Sequence, residues 1–224
     1  MKKYHILPFA IFIIGLLFLN SCASVSGFHT GRTTEKRHGQ ISMGMNLSQS
    51  PNFFDDELEK LQLEEFNLPF LVLPIFEVGA RYGITNRLDI GIKANSVLNF
   101  GIDSKFQVVG DQESPFAVAI GAGFGGFGLT TGNVALLNFQ FPLYTSYHPK
   151  ENVHIYFSPR YIGQFETGFT EFTGLINYTG FNTGVLLGNK TKFGFDFGFY
   201  DLRNESVKFD ANVLNFGVGV IFEL

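Results

Sequence analysis

Lys192-Phe193-Gly194-Phe195-Asp196-Phe197-Gly198-Phe199-Tyr200 sets a phenylalanine at every second position, with glycine, aspartate and glycine between them. Successive side chains of an extended strand point to opposite faces, so this stretch has one aromatic face and one small or polar face. The same period recurs on both sides of it. Phe76, Val78, Ala80 and Tyr82 alternate with Glu77, Gly79, Arg81 and Gly83. Leu88, Ile90, Ile92 and Ala94 oppose Asp89, Gly91, Lys93 and Asn95. Phe116, Val118, Ile120, Ala122 and Phe124 are interleaved with alanines and glycines, and the chain closes on Leu214, Phe216, Val218, Val220 and Phe222 against Asn215, Gly217, Gly219 and Glu223. With Ile41–Leu47, Phe100–Val108, Leu137–Leu143, Val153–Tyr161 and Phe181–Leu187, ten segments of about 8 to 13 residues are predicted. A tilted strand that crosses a bilayer needs about 9 to 11 residues.

The connectors differ in length. Short polar turns are predicted at 85–87, 110–114, 148–152 and 188–191, and longer links at 48–69, 125–132, 164–175 and 203–211. The link at 96–98 is short where that pattern asks for a long one. Alternation does not say which face points outward. A water-exposed face would carry many Lys, Glu and Thr; here the polar face carries Gly, Ala, Asn, Ser and Gln, which suit a narrow interior. The Phe-rich face of ten strands is too bulky for the inside of a small barrel. Phenylalanine is therefore expected outward, toward lipid, and glycine toward the lumen, in a closed barrel that pairs all backbone groups.

These alternating segments, with Ala80-Arg81-Tyr82-Gly83-Ile84-Thr85-Asn86-Arg87-Leu88-Asp89-Ile90-Gly91 (strand, tight turn, strand) and the closing Val220-Ile221-Phe222-Glu223-Leu224, resemble the small outer-membrane β-barrels of Gram-negative bacteria over residues 39–224. The resemblance implies an all-β, closed, antiparallel up-and-down transmembrane barrel of about ten strands, with eight as the alternative. It also implies outer-membrane lipid as surroundings and a closing strand read by the barrel-assembly machinery. Family members often end in an aromatic residue; this chain ends in Leu224, with Phe222 two positions before it.

Ahead of the barrel, Lys2 and Lys3 precede an apolar run from Ile6 to Leu19, too short for the roughly 20 residues of a spanning helix and suited to a signal-peptide core. Leu19-Asn20-Ser21-Cys22 resembles the lipobox of bacterial lipoproteins, which implies a signal peptide over 1–21, cleavage before Cys22 and lipid on that residue. Residues 22–38, rich in Ser, Thr and Gly over their first part, are expected to form a flexible tether. An even strand count returns both ends of the barrel to the periplasm.

Composition narrows the function. The 224 residues include 28 Phe, 8 Tyr and 26 Gly, but one Cys, which excludes a disulfide framework or a Cys-rich zinc site. Charged residues make up 16% against a usual share of about 25%. A net charge of −4 offers no basic footprint for nucleic acid.

The expected inward charges are Glu77, Asp89, Asp103, Asp196 and Glu223 with Arg81, Lys93, Lys105, Arg160 and Lys192. Equal numbers favour a cross-linked interior over a single-sign selectivity ring. Gly121, Gly123 and Gly126 match a dinucleotide fingerprint in spacing, but the required helix is absent from the pattern, and lumen glycine is the expected reading. His154 and Ser158 share one strand face about 13 Å apart, too far to form a catalytic pair. Ser146 or Glu223 could approach His154, though no spacing rule shows it. His29, His38 and His148 offer no metal spacing. No cofactor and no enzymatic activity is expected. The segment 55–66 is the one helix candidate, acidic with a partial apolar stripe. The expected role is structural or surface-interacting, through loops 48–69, 164–175 and 203–211. A narrow pore, a lipid-modifying enzyme and a soluble periplasmic lipoprotein carrying an apolar ligand are the alternatives.

Overall fold

The computed structural model describes residues 27–49, 72–128, 134–168, 172–204 and 209–224. Ten strands follow in chain order: β1 (Gly39–Gln49), β2 (Val72–Thr85), β3 (Leu88–Asn95), β4 (Phe100–Val109), β5 (Phe116–Gly128), β6 (Val134–Lys150), β7 (Val153–Gly168), β8 (Phe172–Leu187), β9 (Thr191–Asn204) and β10 (Phe209–Glu223). Each pairs antiparallel with its neighbours in sequence, and β1 pairs with β10 from Gln40↔Glu223 to Ser48↔Asn215, so the sheet is a closed barrel. The expected architecture and strand number are met. The signal-peptide and lipobox positions, the helix candidate at 55–66 and the loop at 48–69 fall outside the described residues or nearly so.

The faces fall as the residue chemistry requires. Phe195 is 56% exposed, while its neighbour Asp196 is 4% exposed. Phe76, Ile92, Phe100, Ile102, Phe124, Phe141, Phe193 and Phe216 form an exposed apolar belt around the cylinder. Where that belt is densest, rings touch across strands: Phe157–Phe181 and Phe197–Phe216 have centroids 5.3 and 5.2 Å apart. This is the reverse of a soluble barrel with an apolar interior.

Two positive-φ glycines make tight turns at one end of the cylinder. Gly110 (φ 78°) and Gly188 (φ 126°) occupy backbone regions that a Cβ would strain. Beside Gly110, Asp111 accepts hydrogen bonds from Ser114 Oγ and from the N–H groups of Glu113 and Ser114. These donors hold its carboxyl below the usual carboxylate range. At the opposite end the short link between β3 and β4 is explained by Asn95, whose Oδ1 accepts from the N–H groups of Val97 and Asn99 and folds the chain back on itself.

Two expected loops are corrected. Residues 164–168 continue β7 and 172–175 begin β8, with Thr167 paired to Phe172. Likewise β9 runs to Asn204 and β10 starts at Phe209, so most of 203–211 is strand. Ladder pairing is a backbone property and continues where hydrophobic alternation fades, so the pattern ended these strands too early. The link at 125–132 is shortened in the same way, because β5 runs to Gly128.

Candidate functional site

The lumen holds most of the chemistry. Its largest feature is the chain's own N-terminal stretch. Of residues 27–38, expected as part of a tether, 27–34 lie inside the turn end of the barrel and 35–38 are exposed at its rim. Lys36 bridges to Gly83, and Arg37 N–H donates to Gly83 O at 2.9 Å. Thr34 N–H donates to Asp89 Oδ2 at 2.8 Å, and Thr33 N–H to Gln107 Oε1 at 3.0 Å. Arg32 Nη2 reaches Ser114 O at 2.7 Å, and Gly31 N–H donates to Ser146 Oγ at 2.9 Å. Lys105 Nζ donates to Arg32 O at 2.6 Å and to Thr30 O at 3.2 Å. His29 stands edge-on to Tyr144, 5.9 Å between centroids. Phe28 is 6% exposed and packs with Tyr156, Leu186 and Ile221.

Small side chains make this fit. A Cβ on Gly31 would come 2.3 Å from Ala117 O, and one on Gly44 2.9 Å from the Phe28 ring. The Ser, Thr and Gly content that reads as a flexible tether is also what a crowded lumen accepts. Backbone or side-chain groups of Gly31, Arg32, Thr33, Thr34 and Arg37 bond to the barrel wall, so the ordering entropy is opposed by many contacts rather than by one anchor.

The ten expected lumen charges separate into groups. Arg81 on β2 donates from Nη1 to Asp89 and from Nη2 to Asp103. Lys105 Nζ lies 3.6 Å from Asp89 Oδ2. This quartet sits on three consecutive strands because Asp89 faces Lys105, and Gly91 faces both Arg81 and Asp103, in the β2–β3–β4 register. Glu77 pairs with Asn95 across β2–β3, which sets Lys93 on the diagonal next to it. Lys192 and Glu223 form a pair at the turn-end rim. Asp196 departs from the expected acid–base pairing: it accepts from Tyr156 Oη at 2.6 Å, from Asn182 Nδ2 at 2.7 Å and from the Gly27 N–H. Arg160 is buried and lies within electrostatic reach of Tyr200, Tyr144, Asp196 and Glu77.

Toward the loop end the lumen turns apolar. Ile162, Tyr178, Tyr200, Leu202 and Val213 form a buried cluster on the inner wall of β7–β10. Tyr200 was placed on the polar face by alternation, and the other four lie just beyond the alternating segments.

The rejection of a His154–Ser158 pair stands, and Ser146 reaches His154 only through His148. Ser158 is fully buried, and its Oγ makes no hydrogen bond. His154 bonds instead to His148, Nδ1 to Nδ1 at 2.7 Å, and His148 Nε2 lies 2.8 Å from Ser146 Oγ. The available signal was the inward phase Tyr144–Ser146–His148, which puts His148 on the lumen face at the end of β6. A cavity of about 550 Å³ opens at this mouth beside His148, His154, Arg32 and Lys192. Gly121 and Gly123 lie on β5 against Tyr144 and Gln140, within the sheet and outside any phosphate loop. Among the described residues, no group of three or more His, Cys, Asp and Glu is placed to hold a metal ion.

No family model and no curated protein matches the chain. Among solved structures it is similar to Ail, the attachment invasion locus protein of Yersinia pestis, at 10% identity and TM-score 0.36, covering 84% of this chain and 99% of that one. It is similar to the outer membrane protease OmpT of Escherichia coli at 11% identity and TM-score 0.40, covering 91% and 100%. It is likewise similar to Neisserial surface protein A at 10% identity and TM-score 0.30, covering 83% and 96%.

Proposed function

We propose that this chain is an outer-membrane barrel, lipid-anchored at Cys22, with a structural or surface-interaction role and a lumen filled by its own side chains and by residues 27–34. The observation that carries the reading is the pairing of an exposed phenylalanine belt with an interior of buried, mutually bonded polar groups. Such a belt belongs in hydrocarbon, and such an interior leaves little room for ions. The hairpins at 164–175 and 203–211, and the loop at 48–69, would make the surface contacts, and the closing strand with Phe222 and Leu224 would be read by the assembly machinery.

Three measurements test it together. Extraction only by detergent with heat-modifiable gel mobility is expected, and release by salt or carbonate would refute the membrane reading. In planar bilayers the full-length protein is expected to stay silent, and steady openings would replace the filled lumen by a narrow pore. Mass analysis of the mature N-terminus is expected to show acylated Cys22; an unmodified start would remove the anchor alone.

A further inference from the structure

Ser146, His148 and His154 form one hydrogen-bonded chain whose protons can be placed from its ends. The carbonyl of Gly188 only accepts, and His154 Nε2 lies 3.4 Å from it; the tautomer that satisfies this contact carries its proton on Nε2. His154 Nδ1 is then a lone pair, and His148 must donate its Nδ1–H across the 2.7 Å contact. His148 Nε2 is left as a lone pair 2.8 Å from Ser146 Oγ, which must donate its hydroxyl proton to it. The Ser146 oxygen meanwhile accepts the Gly31 N–H at 2.9 Å.

This is a hydroxyl bonded to a neutral imidazole whose tautomer is fixed by a third group, the arrangement that activates serine nucleophiles. When His148 takes the serine proton, its Nδ1–H stays on the His154 lone pair, so the imidazolium is supported. The Gly31 N–H occupies the Ser146 oxygen and must move aside for an electrophile to reach it. All three side chains are buried, at 3%, 5% and 3% exposure, and the two imidazoles line the 550 Å³ cavity at the lumen mouth.

We infer that Ser146 is an activated nucleophile for small acyl or phosphoryl electrophiles, with His148 as its base, His154 as the positioning residue and Gly31 of the lumen segment as its cover. This adds an activity to the reading above and does not depend on the lipid at Cys22. In the acyl reaction the Ser146 Oγ–carbon bond forms and its proton passes to His148 Nε2. The ester's carbon–oxygen bond then breaks, and His148 returns the proton to the leaving alcohol. Water repeats the sequence and releases the acid.

The test uses full-length protein in detergent micelles, with diisopropyl fluorophosphate as probe. The Oγ–phosphorus bond forms, fluoride leaves, and the proton goes to His148. Peptide mass mapping is expected to find the adduct on Ser146, and none in Ser146→Ala. His148→Gln is expected to slow labelling about 100-fold or more, the scale of a lost general base. His154→Leu should slow it comparably. His154→Asn keeps an acceptor oxygen for the His148 N–H and should recover labelling to within about tenfold of the parent, a rescue that a packing role would not produce. Phe28→Ala, which loosens the cover, should speed labelling. Heat-modifiable mobility verifies that each variant is folded. Absence of a Ser146 adduct in both the parent and folded Phe28→Ala would overturn the inference. So would labelling indifferent to His148.

Discussion

Phe28 packs against the inner wall at Gly194: a Cβ there would stand 2.8 Å from Phe28 Cδ1, with Gly217 and Gly219 closing in on the same ring. The ring is the apolar anchor of a segment otherwise held by hydrogen bonds. Gly194→Val is therefore expected to lower stability by about 1–3 kcal/mol through overpacking. Combining it with Phe28→Ala should recover part of the loss, because the clash and its partner are removed together. Denaturant midpoints of the single and double variants check this, and simple additivity would refute the contact.

Arg81 serves two carboxylates at once. Arg81→Met leaves Asp89 and Asp103 buried without their shared donor and is expected to cost about 3–5 kcal/mol. Arg81→Met with Asp89→Asn and Asp103→Asn removes the charges together and should return most of that stability. The thermal midpoint of the mobility shift is the measurement. A neutral Arg81→Met would mean that the quartet contributes nothing to the fold.

Asp196 gathers three neutral donors, from Tyr156, Asn182 and Gly27. Asp196→Ala strands them and is expected to cost about 1–3 kcal/mol, while Asp196→Asn keeps an acceptor and should cost less. The two unfolding curves should therefore separate in that order.

On the outer face depth decides the cost. Phe195→Arg, within the exposed belt of β9, is expected to cost about 2–4 kcal/mol in phospholipid vesicles, whereas Phe222→Arg at the rim should cost about 0–1. In an aqueous protein the two would be alike, so equal effects would argue against a bilayer around this belt.

Much of the fold was legible in the chain. Phe193, Phe195, Phe197 and Phe199 against Gly194, Asp196 and Gly198 fixed both the strand period and the side that must face away from the lumen. The strand ends at 164–175 and 203–211 were not legible, because pairing there outlasts the hydrophobic pattern. His148 was passed over because it lies at a strand end, beyond the clear alternation, and its partners are on another residue's terms: Ser146 two positions back and His154 across the turn. Residues 27–34 were misread because small polar residues serve a free tether and a packed lumen equally well.

The sequence by itself determined ten two-faced strands and the outward direction of their aromatic rings, since period and side-chain size are local properties. Only the tertiary structure decided the register of β1 on β10, entry of Phe28 and its neighbours into the cylinder, and the union of Ser146 with two imidazoles. Alternation assigns a residue to a face; the register of neighbouring strands and the curvature of the closed sheet choose what it meets there.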